Sequence, residues 1–317
     1  MDIKRFTEYR EKVVSSVSRA IVGKERQIEL VLNAFVCSGH VLLEDVPGTG
    51  KTMLLRAFAK SMGGAFRRVQ FTPDLLPSDL TGINFFSQKT GEFEFRKGPL
   101  FADVVLADEI NRATPRTQSA LLEAMEEYQV TVDGHTYPLP KPFVVLATQN
   151  PVGSAGTQLL PSSQLDRFMI RTTMGYPDRQ SQVDILRERH HENPLDRLQG
   201  VVTCEELLEL IESARQVHIA DAVYDYIVDL VDATRSSELV ELGVSPRGAL
   251  ALCRMAKAHA FVRGGDFVTP EDVYQVFDDV CAHRLVLSAK ARLGKITARE
   301  ITEQLRQQVP VPQVAQL

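Results

Sequence analysis

The sequence predicts an α/β fold in which a parallel β-sheet is followed by an α-helical domain. Short apolar segments that read as strands alternate with helical segments from Val41 to about Tyr176, and almost no strand signal follows. Alternation of this kind is typical of parallel sheets covered by helices. A glycine-rich loop at Asp45–Thr52 lies between the first strand and a helix, which is the context that a phosphate-binding loop requires.

The predicted elements follow in chain order. Two amphipathic helices precede the sheet, at Phe6–Ala20 and Glu25–Cys37. Continuous apolar runs predict buried parallel strands at Val41–Glu44, Phe66–Phe71, Val104–Asp108, Phe143–Thr148 and Met169–Met174. Helical periodicity predicts helices at Lys51–Met62, Pro115–Tyr128, Arg179–His191, Cys204–Gln216, Asp221–Ser236, Arg247–Arg263 and Pro270–His283.

Two β-hairpins interrupt the α/β alternation. Asn84–Gln88 and Glu92–Arg96 flank Lys89-Thr90-Gly91, while Gln129–Val132 and His135–Leu139 flank the strong turn signal Asp133-Gly134. We predict a core domain at residues 1–176, a helical domain at 177–290 and a C-terminal helix or tail at 291–317.

Composition places the chain among globular proteins with a sizeable core. Its 317 residues are 44% hydrophobic and 24% charged, and the net charge of −5 gives no electrostatic case for binding nucleic acid. The four cysteines, Cys37, Cys204, Cys253 and Cys281, form no CxxC pair and predict buried free thiols in a reducing cytosol. No apolar run approaches the ~18 residues of a membrane span, so we expect a cytoplasmic protein.

The loop Asp45–Thr52 predicts a phosphate site. Its backbone N–H groups would cradle phosphate oxygens at a helix N-terminus, Lys51 would reach the β- and γ-phosphates, and the Thr52 hydroxyl would ligate Mg²⁺. Asp45 stands where the signature normally has glycine, and Asp tolerates unusual backbone angles. The alternative is an ordinary strand-to-helix turn. The predicted nucleotide contacts of the loop are Val46, Pro47, Gly48, Thr49, Gly50, Lys51, Thr52 and Met53.

An acidic pair and an amide follow two later strands. Val104–Asp108 delivers Asp108 and Glu109 to the carboxyl end of the sheet, where ligands bind in open α/β folds. Asp108 would hold Mg²⁺ and Glu109 would orient and activate the attacking water. Asn150, after the next strand, could bond the γ-phosphate or that water. An exposed acidic pair and an Asn-Pro turn are the alternatives.

Two arginines are candidates for charge stabilisation. Arg167 precedes the last strand and, far from its own loop, would act on a neighbouring subunit's nucleotide as an arginine finger. Its alternative is a surface ion pair with Asp166. Arg247 opens a helix of the second domain and could close over the γ-phosphate, or merely cap that helix.

These segments together resemble the MoxR family of AAA+ ATPases over about residues 10–290. The most specific stretches are Gly98–Phe101, Asn111–Glu127, Ala147–Pro151 and Gln164–Phe168. The resemblance implies an AAA+ P-loop NTPase core with a parallel sheet and a C-terminal α-helical lid. It also implies ATP and Mg²⁺ as cofactors and a ring, usually hexameric, with nucleotide at subunit interfaces.

The resemblance also assigns roles by position. Lys51 and Thr52 match Walker A, and Asp108 and Glu109 match Walker B. Asn150 matches sensor 1, Arg167 the arginine finger, Arg247 sensor 2, and Val22-Gly23 the segment near adenine. The hairpins are similar to the helix-2 insert and the pre-sensor-1 hairpin, which tend to face the ring pore. Family members commonly differ at Ser162-Ser163 and Gln158–Pro161, beside the expected finger.

Three functions compete on this sequence. The first is a ring-forming ATPase that remodels protein clients or helps to insert metal cofactors, with a separate von Willebrand factor A domain protein as partner. The second is a nucleic-acid motor, which the mixed charges of the first hairpin disfavour because phosphate tracking needs excess Lys and Arg. The third is a nucleotide-gated scaffold, which the intact set Glu109, Asn150 and Arg167 disfavours.

Overall fold

A computed structural model of the chain describes residues 3–151, 157–158, 160–188 and 194–312. A five-stranded sheet forms its centre, in the order β2-β5-β8-β1-β9, and every neighbouring pair is parallel. The strands of this sheet are β1 Val41–Glu44, β2 Phe66–Gln70, β5 Val104–Asp108, β8 Val144–Gln149 and β9 Ile170–Thr172. The predicted parallel sheet is therefore confirmed, with bounds within two residues of those expected.

Thirteen α-helices surround this sheet or follow it in the described part of the chain. Those of the first half are α1 Ile3–Ser18, α2 Glu25–Val36, α3 Lys51–Ser61, α4 Pro77–Thr81, α5 Pro115–Glu127 and α6 Ser162–Leu165. The remainder are α7 Arg179–Glu188, α8 Cys204–Arg215, α9 Asp221–Ser236, α10 Pro246–Val262, α11 Pro270–Cys281, α12 Ala289–Leu293 and α13 Ala298–Gln308. His191, the predicted end of α7, lies outside the described residues.

Each inner strand sends alternate side chains to two separate hydrophobic cores, because successive residues of a strand point to opposite faces. In β5, Val104 and Leu106 join the larger core, whereas Val105 and Ala107 join the smaller one. Strand β2 differs from the expected buried strand because it is an edge strand, and its Arg67 and Arg68 are exposed.

The helical C-terminal half shares the larger core with one face of the sheet. Helix α2 packs against α8 and α10, so no hydrophobic gap separates the two halves. The predicted boundary near Tyr176 stays a prediction. A short antiparallel ribbon that the sequence did not reveal joins β10 Val240–Leu242 to β11 Val286–Leu287. Strands of three and two residues are too short to show a period.

Both predicted hairpins form. They consist of β3 Gly82–Ser87 with β4 Glu92–Lys97, and β6 Gln129–Val132 with β7 His135–Pro138. Phe95 stacks on Tyr137 with ring centroids 4.1 Å apart, and the Asn84 amide donates to Asp133 Oδ2 at 2.7 Å. The two hairpins therefore pack against each other.

The four cysteines differ in how far they are buried. All four cysteines are free, as expected, but only Cys281 is fully buried, and Cys37, Cys204 and Cys253 are half-buried. These three lie at helix ends or faces that the core does not cover completely. None of the helices in the described residues is long and apolar enough to cross a membrane.

Candidate functional site

The glycine-rich loop leaves the carboxyl end of β1 and enters α3. Gly48 and Gly50 have φ angles of 89° and 90°, a region that residues with a Cβ rarely adopt. These angles let the loop turn back tightly so that α3 begins at Lys51, directly after Gly50. The N-terminus of an eleven-residue helix thus faces the loop, which is the arrangement that favours a phosphate group.

Asp45, at the position normally held by glycine, ties the loop to the chain that follows the neighbouring strand β9. Its Oδ1 accepts a hydrogen bond from Val46 N at 2.7 Å. Its Oδ2 accepts bonds from Met174 N at 3.0 Å and Gly175 N at 2.6 Å, just after β9. The departure from the signature therefore replaces backbone freedom with a side-chain anchor.

The Lys51 side chain lies beneath the loop and reaches the next strand. Its Nζ donates to Val46 O at 3.0 Å, to Asn150 Oδ1 at 3.2 Å and also to Asp45 O. Burial lowers the pKa of Lys51, and the neighbouring carboxylates of Asp45 and Glu109 oppose that shift. The ammonium group is therefore held at the point where loop and strand meet.

Asp108 is the centre of a polar cluster at the end of β5 and is only 2% exposed. Its Oδ1 accepts hydrogen bonds from Thr52 Oγ1 at 3.0 Å and Thr148 Oγ1 at 3.2 Å. Its Oδ2 pairs with Arg68 Nε at 2.7 Å. A hydroxyl and a carboxylate in contact are oxygen donors of the kind that Mg²⁺ prefers, so Thr52 and Asp108 fit that ion.

The carboxylate of Glu109 has different partners from that of Asp108, because the backbone turns at Glu109. Its φ of 55° is left-handed, and its carboxylate accepts bonds from Arg112 at 2.9 Å, Asn150 Nδ2 at 3.2 Å and Gln70 Nε2 at 3.2 Å. Partial burial alone would raise the pKa of Glu109, but the hydrogen bonds from Arg112 and Asn150 outweigh it and the pKa is lowered. The lowered pKa favours the ionised carboxylate of Glu109.

A cleft of about 250 Å³ opens beside the loop. Val22 and Gly50 line it, together with Pro177 and Ile185 from the segment after β9. A Cβ on Gly23 would lie 2.2 Å from Ser181 Oγ, so only glycine fits where this segment meets α7. A half-apolar cleft next to a phosphate loop suits a nucleotide base. Met53 packs partly against the larger core, and its contact with nucleotide stays a prediction.

The two predicted arginines meet at one carboxylate. Arg167 Nε and Arg247 Nη1 each lie 2.7 Å from an oxygen of Glu126, at the end of α5. Arg167 precedes β9, whereas the loop follows its parallel neighbour β1. Because the two strands are parallel, the pair and the loop lie at opposite ends of the strands.

In this structure Arg247 pairs with Glu126, because α10 packs beside α2 and presents its first turn to that residue. Its expected contact with a γ-phosphate stays a prediction. Arg167 is as far from its own loop as expected, and its ion pair is with Glu126 rather than Asp166. Ser162 and Ser163 are exposed on the short helix just before it.

Sequence reasoning missed three residues of this arrangement. Asp45 was a departure from a motif, Arg68 a charge within an apparent core strand, and Glu126 one acid among several on α5. The charged pair in β2 was a usable signal for an edge strand. A larger cleft of about 750 Å³ lies between α8, α10 and the start of β8, and contains none of the loop residues.

Comparison with known proteins agrees with this geometry. Residues 40–170 match the family model of the ATPase family associated with various cellular activities (AAA), and residues 232–305 match the AAA lid domain. The chain is 48% identical to YeaC of Bacillus subtilis, covering 95% of this chain and 94% of that protein. It is 40% identical to Chaperone MoxR1 of Mycobacterium tuberculosis, covering 96% and 82%.

The fold of this chain is also similar to that of a solved structure. A protein from Cytophaga hutchinsonii superposes with a TM-score of 0.90 at 39% identity, covering 98% of this chain and 97% of that one. The fold and site define an AAA+ protein with a C-terminal lid. Within that class, the chain belongs to the MoxR family of AAA+ ATPases.

Proposed function

We propose that this chain is a Mg²⁺-dependent ATPase that works as a ring of identical subunits and remodels protein clients. One observation carries the proposal. Lys51, Asp108 and Glu109 converge at the carboxyl ends of the strands, which we call the loop edge. Arg167 and Arg247 lie together near the amino end of β9, which we call the arginine edge. A site divided in this way is complete only when the arginine edge of one subunit meets the loop edge of another.

Each residue has a role in this proposal. The loop amides and Lys51 bind the β- and γ-phosphates, and Thr52 and Asp108 hold Mg²⁺, for which Asp108 must turn away from Arg68. When bound there, Mg²⁺ would supply positive charge against the charge that develops on the phosphate oxygens. Asn150 links Lys51 to Glu109, so it can orient the water from which Glu109 accepts a proton.

The arginine edge supplies the remaining positive charge. Glu126 holds Arg167 and Arg247 side by side, both partly exposed, with 27% and 45% of their side chains accessible. We infer that both arginines act on the nucleotide of the neighbouring subunit, Arg167 as finger and Arg247 as sensor. Of the two roles that the sequence allowed for Arg247, this proposal takes the contact with a γ-phosphate and assigns it to the nucleotide of the neighbouring subunit.

The proposals for a protein client and for a partner rest on the names of relatives and on one exposed surface. MoxR1 is named a chaperone, and Phe86 and Phe93 form an exposed aromatic pair on the first hairpin, with 55% and 74% of each residue accessible. Such a pair, flanked by acids, suits apolar protein segments better than a phosphate backbone. We further propose a hexamer, a separate von Willebrand factor A domain partner, and a reducing cytoplasmic location that suits four free cysteines.

The test is ATP turnover per subunit across a range of protein concentrations, with Glu109→Gln as control. We expect the rate per subunit to rise with concentration in the unmodified protein and to vanish in Glu109→Gln, which keeps the shape of the site but loses the proton acceptor. A flat rate near zero, despite tight ATP binding, would favour the nucleotide-gated scaffold instead.

A further inference from the structure

A buried arginine of the lid holds the segment that carries Arg167. Arg284 ends a 3₁₀ turn at Ala282–Arg284 and has only 3% of its side chain exposed. Its Nε lies 2.7 Å from Asp166 Oδ1, its Nη2 donates to Phe168 O at 2.7 Å and Asp166 O at 3.3 Å, and its Nη1 donates to Met169 O at 3.3 Å. Three of the four residues from 166 to 169 are therefore bonded to one side chain, and the fourth is Arg167.

Because Arg284 is buried, its guanidinium group needs partners for its charge and for its N–H donors. A guanidinium group removed from water is stable only when it is paired and its donors are satisfied. Asp166 provides the charge, and the backbone carbonyls of the segment together with Val280 O of the lid accept the other hydrogen bonds. His283 Nε2 lies 3.2 Å from Phe168 O and 2.9 Å from Arg284 Nη1. Burial lowers the pKa of His283 well below its ordinary value, so this ring adds no competing charge.

The second carboxylate oxygen of Asp166 faces the N-cap residue of α10. Ser245 Oγ lies 3.4 Å from Asp166 Oδ2, and Ser245 caps α10 by accepting a bond from Gly248 N. Arg247 is therefore two residues from one contact of Asp166, and Arg167 directly follows Asp166. One carboxylate thus joins the segment that carries Arg167 to the lid at two points, Arg284 and the N-cap of α10.

We propose that Arg284 and Asp166 are positioning residues for Arg167, which they hold at the surface offered to the next subunit and link to the lid. Their side-chain hydrogen bonds in the described residues go to each other, to the segment 166–169 and to neighbouring lid residues, and none goes to the loop Asp45–Thr52. This inference rests on the proposed function, in which Arg167 completes a neighbour's site. Since a misplacement of about 1 Å can cost roughly a hundredfold in rate, loosening the segment should impair the neighbour's site and spare its own.

The test uses full-length Arg284→Lys and Asp166→Asn, each alone and mixed with a tenfold excess of Glu109→Gln. Alone, both variants should lose about ten- to a hundredfold in turnover and keep wild-type ATP affinity. In the mixture, Glu109→Gln subunits are inactive but carry an intact arginine edge. Most variant subunits then receive a wild-type Arg167, and turnover per variant subunit should return to within about threefold of wild type, if loss of position alone caused the defect.

Two further proteins make the result decisive. Arg306→Lys changes another partly buried lid arginine, which pairs with Asp278 at 3.3 Å and does not contact residues 166–169. It should keep near wild-type turnover. Arg167→Ala tests the proposed function itself and must also be rescued by Glu109→Gln.

The outcomes separate the two ideas. Rescue of Arg167→Ala without rescue of Arg284→Lys and Asp166→Asn would overturn the positioning role and leave the ring ATPase intact. Full activity of both variants alone would overturn it as well. Failure to rescue Arg167→Ala would refute action between subunits and this inference with it. If Arg284→Lys does not fold, the milder Asp166→Asn decides, because its side chain is 22% exposed.

Discussion

At the scale of single residues, the site depends on side chains that are bound to each other before any ligand arrives. Asn150 bonds both Lys51 and Glu109, at 3.2 Å in each case. Asp108 bonds hydroxyl groups from two different elements. Such a network keeps each group near its working position, which limits the ordering entropy that ligand binding has to offset.

Removing the Lys51 charge should weaken nucleotide binding. We expect Lys51→Ala to bind ATP about ten- to a hundredfold more weakly, since hydrogen bonds to charged groups contribute about 1.5–3 kcal/mol. Calorimetric titration measures the affinity. Lys60→Ala is the matched control, because Lys60 lies on the same helix but bonds Leu195 O. Equal ATP affinities of the two variants would show that Lys51 does not bind the phosphates.

A buried histidine predicts acid sensitivity. His40 accepts a bond from Val145 N at 3.0 Å and lies 3.0 Å from Met125 O, and burial lowers the pKa of His40 to about 4. The unfolded chain takes up a proton below about pH 6.5, whereas the folded chain holds His40 neutral until about pH 4. The free energy of unfolding should therefore fall as pH drops through this range, by about 2 kcal/mol at pH 5.

Urea unfolding at pH 7 and pH 5 measures this loss. His40→Gln should show a smaller decrease between the two pH values than the unmodified protein, while His135→Gln, on an exposed hairpin strand, should not. His283 has its pKa lowered in the same direction and remains in all three proteins, so the difference isolates His40. An unchanged decrease in His40→Gln would count against this assignment.

At the scale of elements, the two hairpins are joined by a small number of contacts. Phe95 is flanked by Tyr137, with ring centroids 4.1 Å apart, and by Phe101 at 5.6 Å. Phe93, two residues earlier, is 74% exposed. The same residue type thus serves as an anchor at one position and as an accessible surface at the other.

The anchoring role of Phe95 can be measured by hydrogen exchange. Phe95→Ala should speed amide exchange in residues 82–97 by about three- to tenfold, because aromatic pairs contribute about 0.5–1.5 kcal/mol beyond their buried area. Phe85→Ala is the matched control and should change exchange less, because Phe85 is 40% exposed and makes no ring contact among those found in the described residues. If the two variants exchange equally fast, the stacking on Tyr137 does not hold the hairpin.

At the scale of the whole molecule, the position of Arg167 predicts how activity depends on assembly. Arg167→Ala should bind ATP normally and lose about 10³- to 10⁵-fold of the turnover that rises with concentration, the range known for arginine fingers. Turnover per subunit against protein concentration, together with ATP affinity, checks both statements. Wild-type activity per subunit would mean that another residue provides this charge.

Much of the molecule was predictable from local patterns. The strands of the sheet were recognisable because buried parallel strands are continuously apolar, and β5 and its acids were correctly delimited. Asn84–Arg96 was recognisable as a hairpin from its turn and alternation. The β10–β11 ribbon and the edge position of β2 were not, because short strands show no period and strand order is a property of the assembled sheet.

The sequence by itself determined the fold class, the family and which residue types stand at the carboxyl edge of the sheet. The glycine-rich loop, the acidic pair and the asparagine are each local sequence patterns, so they can be recognised without knowledge of the fold. Only the tertiary structure decided that Asp45 anchors the loop and that Glu126 pairs with both Arg167 and Arg247 at a distance from the loop. It also decided that Arg284 binds the segment 166–169, which carries Arg167. These contacts join residues about 40 to 130 positions apart. The pairing of strands within the sheet and the packing of the helices and lid against it bring these residues together, and no local pattern does.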